Sequence, residues 1–163
     1  YQEALNRESS NEMALLGMAR HYITLNNPGE AEKRASSAAA VSKNNAVLGE
    51  AYAILGSANS LKPNYKAAVE NYKKSLTYRP GNVHTAVLLG ETLINLYRSA
   101  PSAERANLLT QIIDAANKAV LIKPDYIYAY ALLYKADLLQ NKYEHSHLRR
   151  EFAENKVLFS ANV

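Results

Sequence analysis

The side chains best suited to acid–base or metal chemistry are few. Four histidines, His21, His84, His145 and His147, are the only side chains whose ordinary pKa lies near neutrality. His145 and His147 flank Ser146, and imidazole is the commonest nitrogen ligand of zinc. Residues two apart on a helix point away from each other, however, and no carboxylate–histidine set at helical spacing accompanies them. No metal site is expected. Cysteine is absent, which removes disulfides, thiolate nucleophiles, iron–sulfur clusters and cysteine-ligated zinc. Glu50 and Glu91 offer carboxylates without a pocket to work in. The chain contains no GxGxxG, no glycine-rich phosphate loop, no GxSxG elbow and no HExxH. These absences predict no catalytic residue, no cofactor and no metal, so the chain reads as non-enzymatic.

Charge and aromatic content raise a nucleic-acid reading. Nineteen basic residues stand against fifteen acidic ones, a net charge of +4 with pI near 9.2, which is a mild excess. Lys62, Lys66, Lys73, Lys74 and Arg79 form one basic stretch and Arg149-Arg150 another. Twelve tyrosines are available for base stacking, but Tyr52, Tyr65, Tyr72 and Tyr130 already have packing roles in the pattern described below. The balance argues against nucleic acid.

The elements that must position any site emerge from internal repetition, which is checked before local structure because a missed repeat misassigns the fold. Four segments read Ala14-Leu15-Leu16-Gly17-Met18-Ala19, Ala53-Ile54-Leu55-Gly56-Ser57-Ala58, Val87-Leu88-Leu89-Gly90-Glu91-Thr92 and Ala131-Leu132-Leu133-Tyr134-Lys135-Ala136. From Leu16 to Leu55, Leu89 and Leu133 the steps are 39, 34 and 44 residues. Each segment lies in a helical pattern. After the first three, breaks at Asn26-Asn27-Pro28-Gly29, Lys62-Pro63-Asn64 and Ser99-Ala100-Pro101-Ser102 precede a second helix. Ser9 with Glu12, then Asn45, Asn64, Asn82, Ser102 and Asp125, are the expected caps. Apolar residues make up 48% of 163, enough for a buried core. No apolar run approaches the roughly 18 residues of a membrane span, so no membrane insertion is expected. The chain begins at Tyr1 rather than methionine and reads as a processed product or a fragment of something longer.

Residues 49–82 resemble a complete tetratricopeptide (TPR) repeat. Counting 34 positions from Gly49 places Tyr52, Leu55, Gly56, Tyr65, Ala68, Tyr72 and Pro80 at the signature places, with Asn59 and Ser75 departing from the usual tyrosine and alanine. The third repeat keeps Leu89, Gly90, Ala116, Ala119 and Pro124 but holds ten more residues between glycine and proline, which predicts longer helices at 83–98 and 102–122. The fourth repeat matches at Tyr130, Leu133, Tyr143 and Ala153, with Tyr134 and Ser146 departing. The first matches at Met13, Leu16 and Gly17. The resemblance implies an all-α, right-handed α-solenoid of about four helix–turn–helix hairpins, forming a single repeat domain over residues 1–163. Its repeats fall near 10–45, 49–82, 83–126 and 127–160, after a partial preceding helix at 1–7.

The same resemblance implies function. Positions two, five, nine and twelve of each first helix line a concave groove that holds a peptide or helix of a partner protein. Carried over, these are Asn11, Ala14, Met18 and His21; Glu50, Ala53, Ser57 and Ser60; His84, Val87, Glu91 and Ile94; and Tyr128, Ala131, Lys135 and Leu138. Tyr128 and Met18 are the expected anchors. Chaperone-binding members clamp a terminal carboxylate with lysine, arginine and asparagine at positions five and nine; only Lys135 fits here, so no chaperone-tail binding is expected. The chain therefore reads as a scaffold or adaptor for another protein, with self-association through the long third hairpin left open. Two other readings stand beside it: an RNA-binding helical repeat, and a regulatory or oligomerisation module of a larger enzyme or of a secretion or assembly machine.

Overall fold

A computed structural model describes residues 11–140. The expected helix at 1–7, the cap at Ser9, the second helix of the fourth repeat with Tyr143, Ser146 and Ala153, the His145–His147 pair and Arg149-Arg150 lie outside them. Within them the chain is all-α, with helices α1 (Glu12–Thr24), α2 (Pro28–Val41), α3 (Asn45–Leu61), α4 (Tyr65–Tyr78), α5 (Val83–Ser99), α6 (Ser102–Ile122) and α7 (Ile127–Leu139). Contacts gather into two compact units, one ending at Gly81 and the next starting at Asn82.

Helix starts follow side-chain capping. The amide oxygen of Asn11 accepts from the backbone N–H of Met13 and Ala14, that of Asn27 from Glu30, that of Asn44 from Ala46 and that of Asn82 from Thr85. Each satisfies donors that a first helical turn leaves open. Asn64 sits at the expected cap of α4 but makes no side-chain cap bond. Three caps fall one residue from their expected places, at Asn44, Pro101 and Tyr126 rather than Asn45, Ser102 and Asp125. At the end of α1, Asn26 adopts φ 52°; its N–H bonds to Ile23 O, and that of Asn27 reaches back to Tyr22 O at 2.8 Å. This left-handed C-terminal cap suits asparagine, whose short polar side chain tolerates that conformation.

In the unit ending at Gly81, α1, α2 and α3 pack on one another and α4 packs on α3. In the unit from Asn82, α5 packs on both α6 and α7, and α6 on α7. Burial separates first from second helices. α2 buries Ala31, Ala35 and Ala38, and α6 buries Leu108, Ile112, Ala115, Ala116 and Ala119, each a single stripe at helical spacing. α1 instead buries six consecutive residues, Ala14 to Ala19, and α5 buries eight positions spread around its circumference. Within each unit α1 and α5 thus bury more of their circumference than α2 and α6, which pack on them through one stripe.

The expected close approach of helices occurs at the signature glycines. A Cβ placed on Gly56 would stand 2.6 Å from Cδ1 and Cε1 of Tyr72, whose ring is 1% exposed. On Gly90 it would collide with the δ-carbons of Leu132, which is fully buried. Gly56 thus admits the second helix of its own hairpin, and Gly90 admits the first helix of the next. The two departures from the repeat pattern have local reasons. Ser75 is fully buried and its hydroxyl donates to Gly49 O at 2.6 Å, tying the end of α4 to the start of α3. Asn59, also buried, donates through Nδ2 to Leu55 O at 2.9 Å.

The phenol of Tyr72 reaches the far side of α3, where its oxygen lies 3.1 Å from Ser57 Oγ. Burial raises its pKa above the ordinary 10.0, and hydrogen bonding with Ser57 and Ser60 partly counters that rise.

Of the two helices expected to be longer in the third hairpin, only the second is: α5 has 17 residues, as does α3, and differs in where its glycine falls. α5 continues nine residues past its glycine and α3 five, while α6 has 21 residues against 14 in α4. Its tip closes on itself: the Arg105 guanidinium lies 5.6 Å from the Tyr97 ring centroid, and Arg105 Nε donates to Ala100 O at 3.1 Å. No large apolar side chain is exposed between residues 95 and 110.

Two outcomes follow from the Gly56–Tyr72 contact. Alanine at a helical glycine gains up to about 1 kcal/mol of helix propensity, but overpacking a tight contact costs about 1–3 kcal/mol. Gly56→Ala should therefore lower the urea midpoint. Gly81→Ala, where nothing lies within 4 Å of the added carbon, should leave it unchanged; equal midpoints for both variants would refute the close-approach account. The raised Tyr72 pKa means the native state holds that proton more tightly than the unfolded chain. Its contribution is fully present below pH 10 and is lost as pH rises through the folded value. Tyr72→Phe should flatten the decline in stability above pH 10, measured by urea unfolding at stepped alkaline pH.

Candidate functional site

The first-helix positions divide by unit, and each set is built differently. On α1, Asn11 has its amide oxygen committed to capping, at 3.1 Å from Met13 N and 3.0 Å from Ala14 N. Ala14 is 4% exposed. Met18, expected as an anchor, is instead 8% exposed and lies in a core formed with residues of α2 and α3, among them Ala31, Ala35, Val47 and Ile54. An unbranched thioether fills such a gap readily, and α1, buried through six successive residues, draws it inward. His21 remains exposed, its ring tilted beside that of Tyr22 at 6.2 Å.

On α3 the four positions are all partly accessible. The Glu50 carboxylate pairs with Arg20 Nε of α1 at 2.5 Å, linking successive first helices. Ser57 Oγ donates to Ala53 O at 3.1 Å and also meets the Tyr72 phenol. Ser60 is the second hydroxyl at that phenol. This face is short-chained and polar, and its hydrogen-bonding groups are largely satisfied within the protein.

In the unit from Asn82 the face is more apolar. Val87 and Ile94 are 7% and 2% exposed and form its floor, while His84 is exposed. The Lys135 ammonium sits 2.6 Å from Glu91 Oε1, again joining two first helices, here α5 and α7. The lone cation of the groove positions is therefore neutralised within the chain. Along α7, Tyr128, Ala131, Lys135 and Leu138 recur at helical spacing on one stripe. Tyr128 is 60% exposed, far more than a tyrosine filling a helix-packing role; Leu138 is also exposed.

Two contributors carry no periodic signal in the sequence. Arg20 lies one residue before a groove position, where repeat register alone gives solvated surface; only its sign, opposite to that of Glu50, points to the pairing. Tyr126 is the second. Its ring centroid lies 5.3 Å from that of Tyr128 at an interplanar angle of 57°, and Lys123 Nζ stands 5.7 Å from the Tyr126 centroid. Tyr130, predicted to pack, bonds through its hydroxyl to Pro124 O at 2.9 Å, bracing the turn that carries the pair.

Among the described residues no three histidine, aspartate or glutamate side chains gather to hold a metal ion, and no helix is long and apolar enough to cross a membrane.

No family model and no curated protein matches the sequence. Solved structures do match by shape. A crystal structure of MamA superposes with a TM-score of 0.81 at 21% identity, over 100% of this chain and 88% of that one. The thermophilic TPR protein TTC0263 of Thermus thermophilus superposes with a TM-score of 0.74 at 18% identity, over 87% of this chain and 72% of that one. The fold of this chain is a TPR-type helical-repeat fold.

Proposed function

We propose that this protein is a non-catalytic interaction scaffold that holds a segment of another protein against its first-helix face, with the stripe on α7 as the principal contact. The observation that carries this reading is Tyr128. A large aromatic side chain is 60% exposed on the stripe where the repeat pattern predicts a partner, while the phenol of Tyr72 is buried in helix packing. Rigid amphipathic aromatics are the side chains most enriched where few residues dominate binding.

The surrounding chemistry fits an amphipathic helix or extended segment laid along the stripe. Ala131 leaves room for close approach, Leu138 adds an exposed apolar contact, and the Glu91–Lys135 pair presents no net charge. Because Lys135 is already paired, a free terminal carboxylate would have to displace Glu91, which agrees with the expectation that acidic chaperone tails do not bind. The arrangement of Glu50 and Arg20 likewise leaves the α3 positions without a net-charged handle.

The test is quantitative capture from the native extract with the immobilised chain and with Tyr128→Ala, Leu138→Ala and, as a control on the exposed side of α6, Thr110→Ala. The partner should be retained about tenfold less on Tyr128→Ala, in keeping with the roughly 1–2 kcal/mol typical of an exposed-interface anchor. The control should not change it. Retention should also fall only slightly between low and physiological salt, whereas a nucleic-acid partner would be lost steeply. A partner held equally by the chain and by both α7 variants would overturn this assignment of the binding face.

A further inference from the structure

Three features of the α6–α7 connection favour a cation at one place. The first is the tilted Tyr126–Tyr128 pair, whose ring faces are electron-rich. Lys123 already stands over Tyr126 at 5.7 Å, which shows a cation occupying one face of the pair, whereas Tyr128 is 60% exposed. The second is the C-terminal end of α6, a 21-residue helix whose last turn holds no basic residue and whose C-cap is Lys123, its side chain turned over Tyr126; the negative end of the helix dipole favours cations. The third is Asp125, an exposed carboxylate immediately before the tyrosine pair. In the last turn of α6, Leu121 is 82% exposed and offers apolar surface of the kind that takes the aliphatic stem of a long cationic side chain.

We propose that the Tyr126–Tyr128 pair, with Asp125 and the end of α6, receives an arginine side chain of the bound partner. The inference rests on the scaffold reading above and specifies one side chain of its ligand. A guanidinium is planar, stacks on an aromatic face and still has donors for a carboxylate at its edge. It can cover Tyr128 while reaching towards Asp125. Lys123 is the internal competitor: its ammonium takes the Tyr126 face and adds like charge to the site, so its removal strengthens the incoming contact. The partner segment would therefore present an arginine beside its apolar stripe.

The test uses the full 163-residue chain and N-acetyl-arginine amide as the probe, with the isosteric neutral citrulline amide as its partner compound, followed by amide and tyrosine-ring NMR shifts. The arginine compound should give saturable shifts confined to residues near Asp125, Tyr126 and Tyr128, and the citrulline compound should not. Tyr128→Phe should retain binding, since the ring face remains. Tyr128→Leu should abolish the saturable response. Asp125→Asn should weaken it about threefold, the scale of an exposed ion pair, and Lys123→Gln should strengthen it. Equal shifts with citrulline, unchanged binding in Tyr128→Leu, or weaker binding in Lys123→Gln would each overturn the proposal. Loss of partner on Tyr128→Ala, in the capture experiment, together with no response here would remove the arginine receptor while leaving the scaffold reading in place.

Discussion

The close approach of helices over glycine is the constraint on which the rest depends. Side chains at Gly56 or Gly90 would occupy space already filled by Tyr72 and Leu132, so the helix axes can be near only because those positions lack a β-carbon. Near axes in turn let short residues do the packing. The fully buried residues of α2 are Ala31, Ala35 and Ala38, and α6 buries three alanines among its five core residues. A core of alanines provides little apolar area per residue, and it is effective only where helices are close enough for many weak contacts to act together.

Tight packing also governs which polar groups of the first-helix faces are bonded within the chain. Ser57 and Ser60 stand on a face where the repeat pattern places a ligand, yet both are bonded to the Tyr72 phenol that fills the space over Gly56. Charged positions behave alike: Glu50 answers Arg20 and Glu91 answers Lys135. Exposed pairs of this kind contribute little to stability, about 0–1 kcal/mol each. Their larger consequence is that they remove net charge from the faces they cross, leaving those faces mainly aromatic, apolar or internally bonded.

Much of this is legible in sequence, and the exceptions have specific causes. The leucine–glycine recurrence marks the helical hairpins and the long third repeat, and the expected helices at 83–98 and 102–122 lie within a residue of α5 and α6. One cap slips from Asn45 to Asn44 because the two adjacent residues are chemically identical, and backbone geometry selects between them. Repeat register alone puts Met18 at the surface, but α1 is enclosed on several sides and a flexible side chain at a border position turns inward. The interhelix ion pairs depend on the offset between successive first helices, which no local periodicity encodes. Tyr126 is hidden for another reason: within Tyr126-Ile127-Tyr128-Ala129-Tyr130 the alternation mimics a strand, and only the start of α7 at Ile127 makes Tyr126 a cap residue whose ring is free to lean on Tyr128.

That last point bears on why Tyr128 is accessible at all. Tyr72 lies in the middle of a helix, with a glycine of the facing helix beneath its ring. Tyr128 is at the second position of α7, where the preceding turn supplies no helix to cover it, and the Tyr130–Pro124 bond fixes that turn without burying it. The ring is exposed because of its register at a helix start, and its orientation is set by Tyr126 on one side and the rigid helix on the other. An aromatic group held in this way loses little conformational freedom on contact, so under the proposed scaffold reading a partner would gain more from Tyr128 than from an exposed side chain without such neighbours, such as Leu121 at the end of α6.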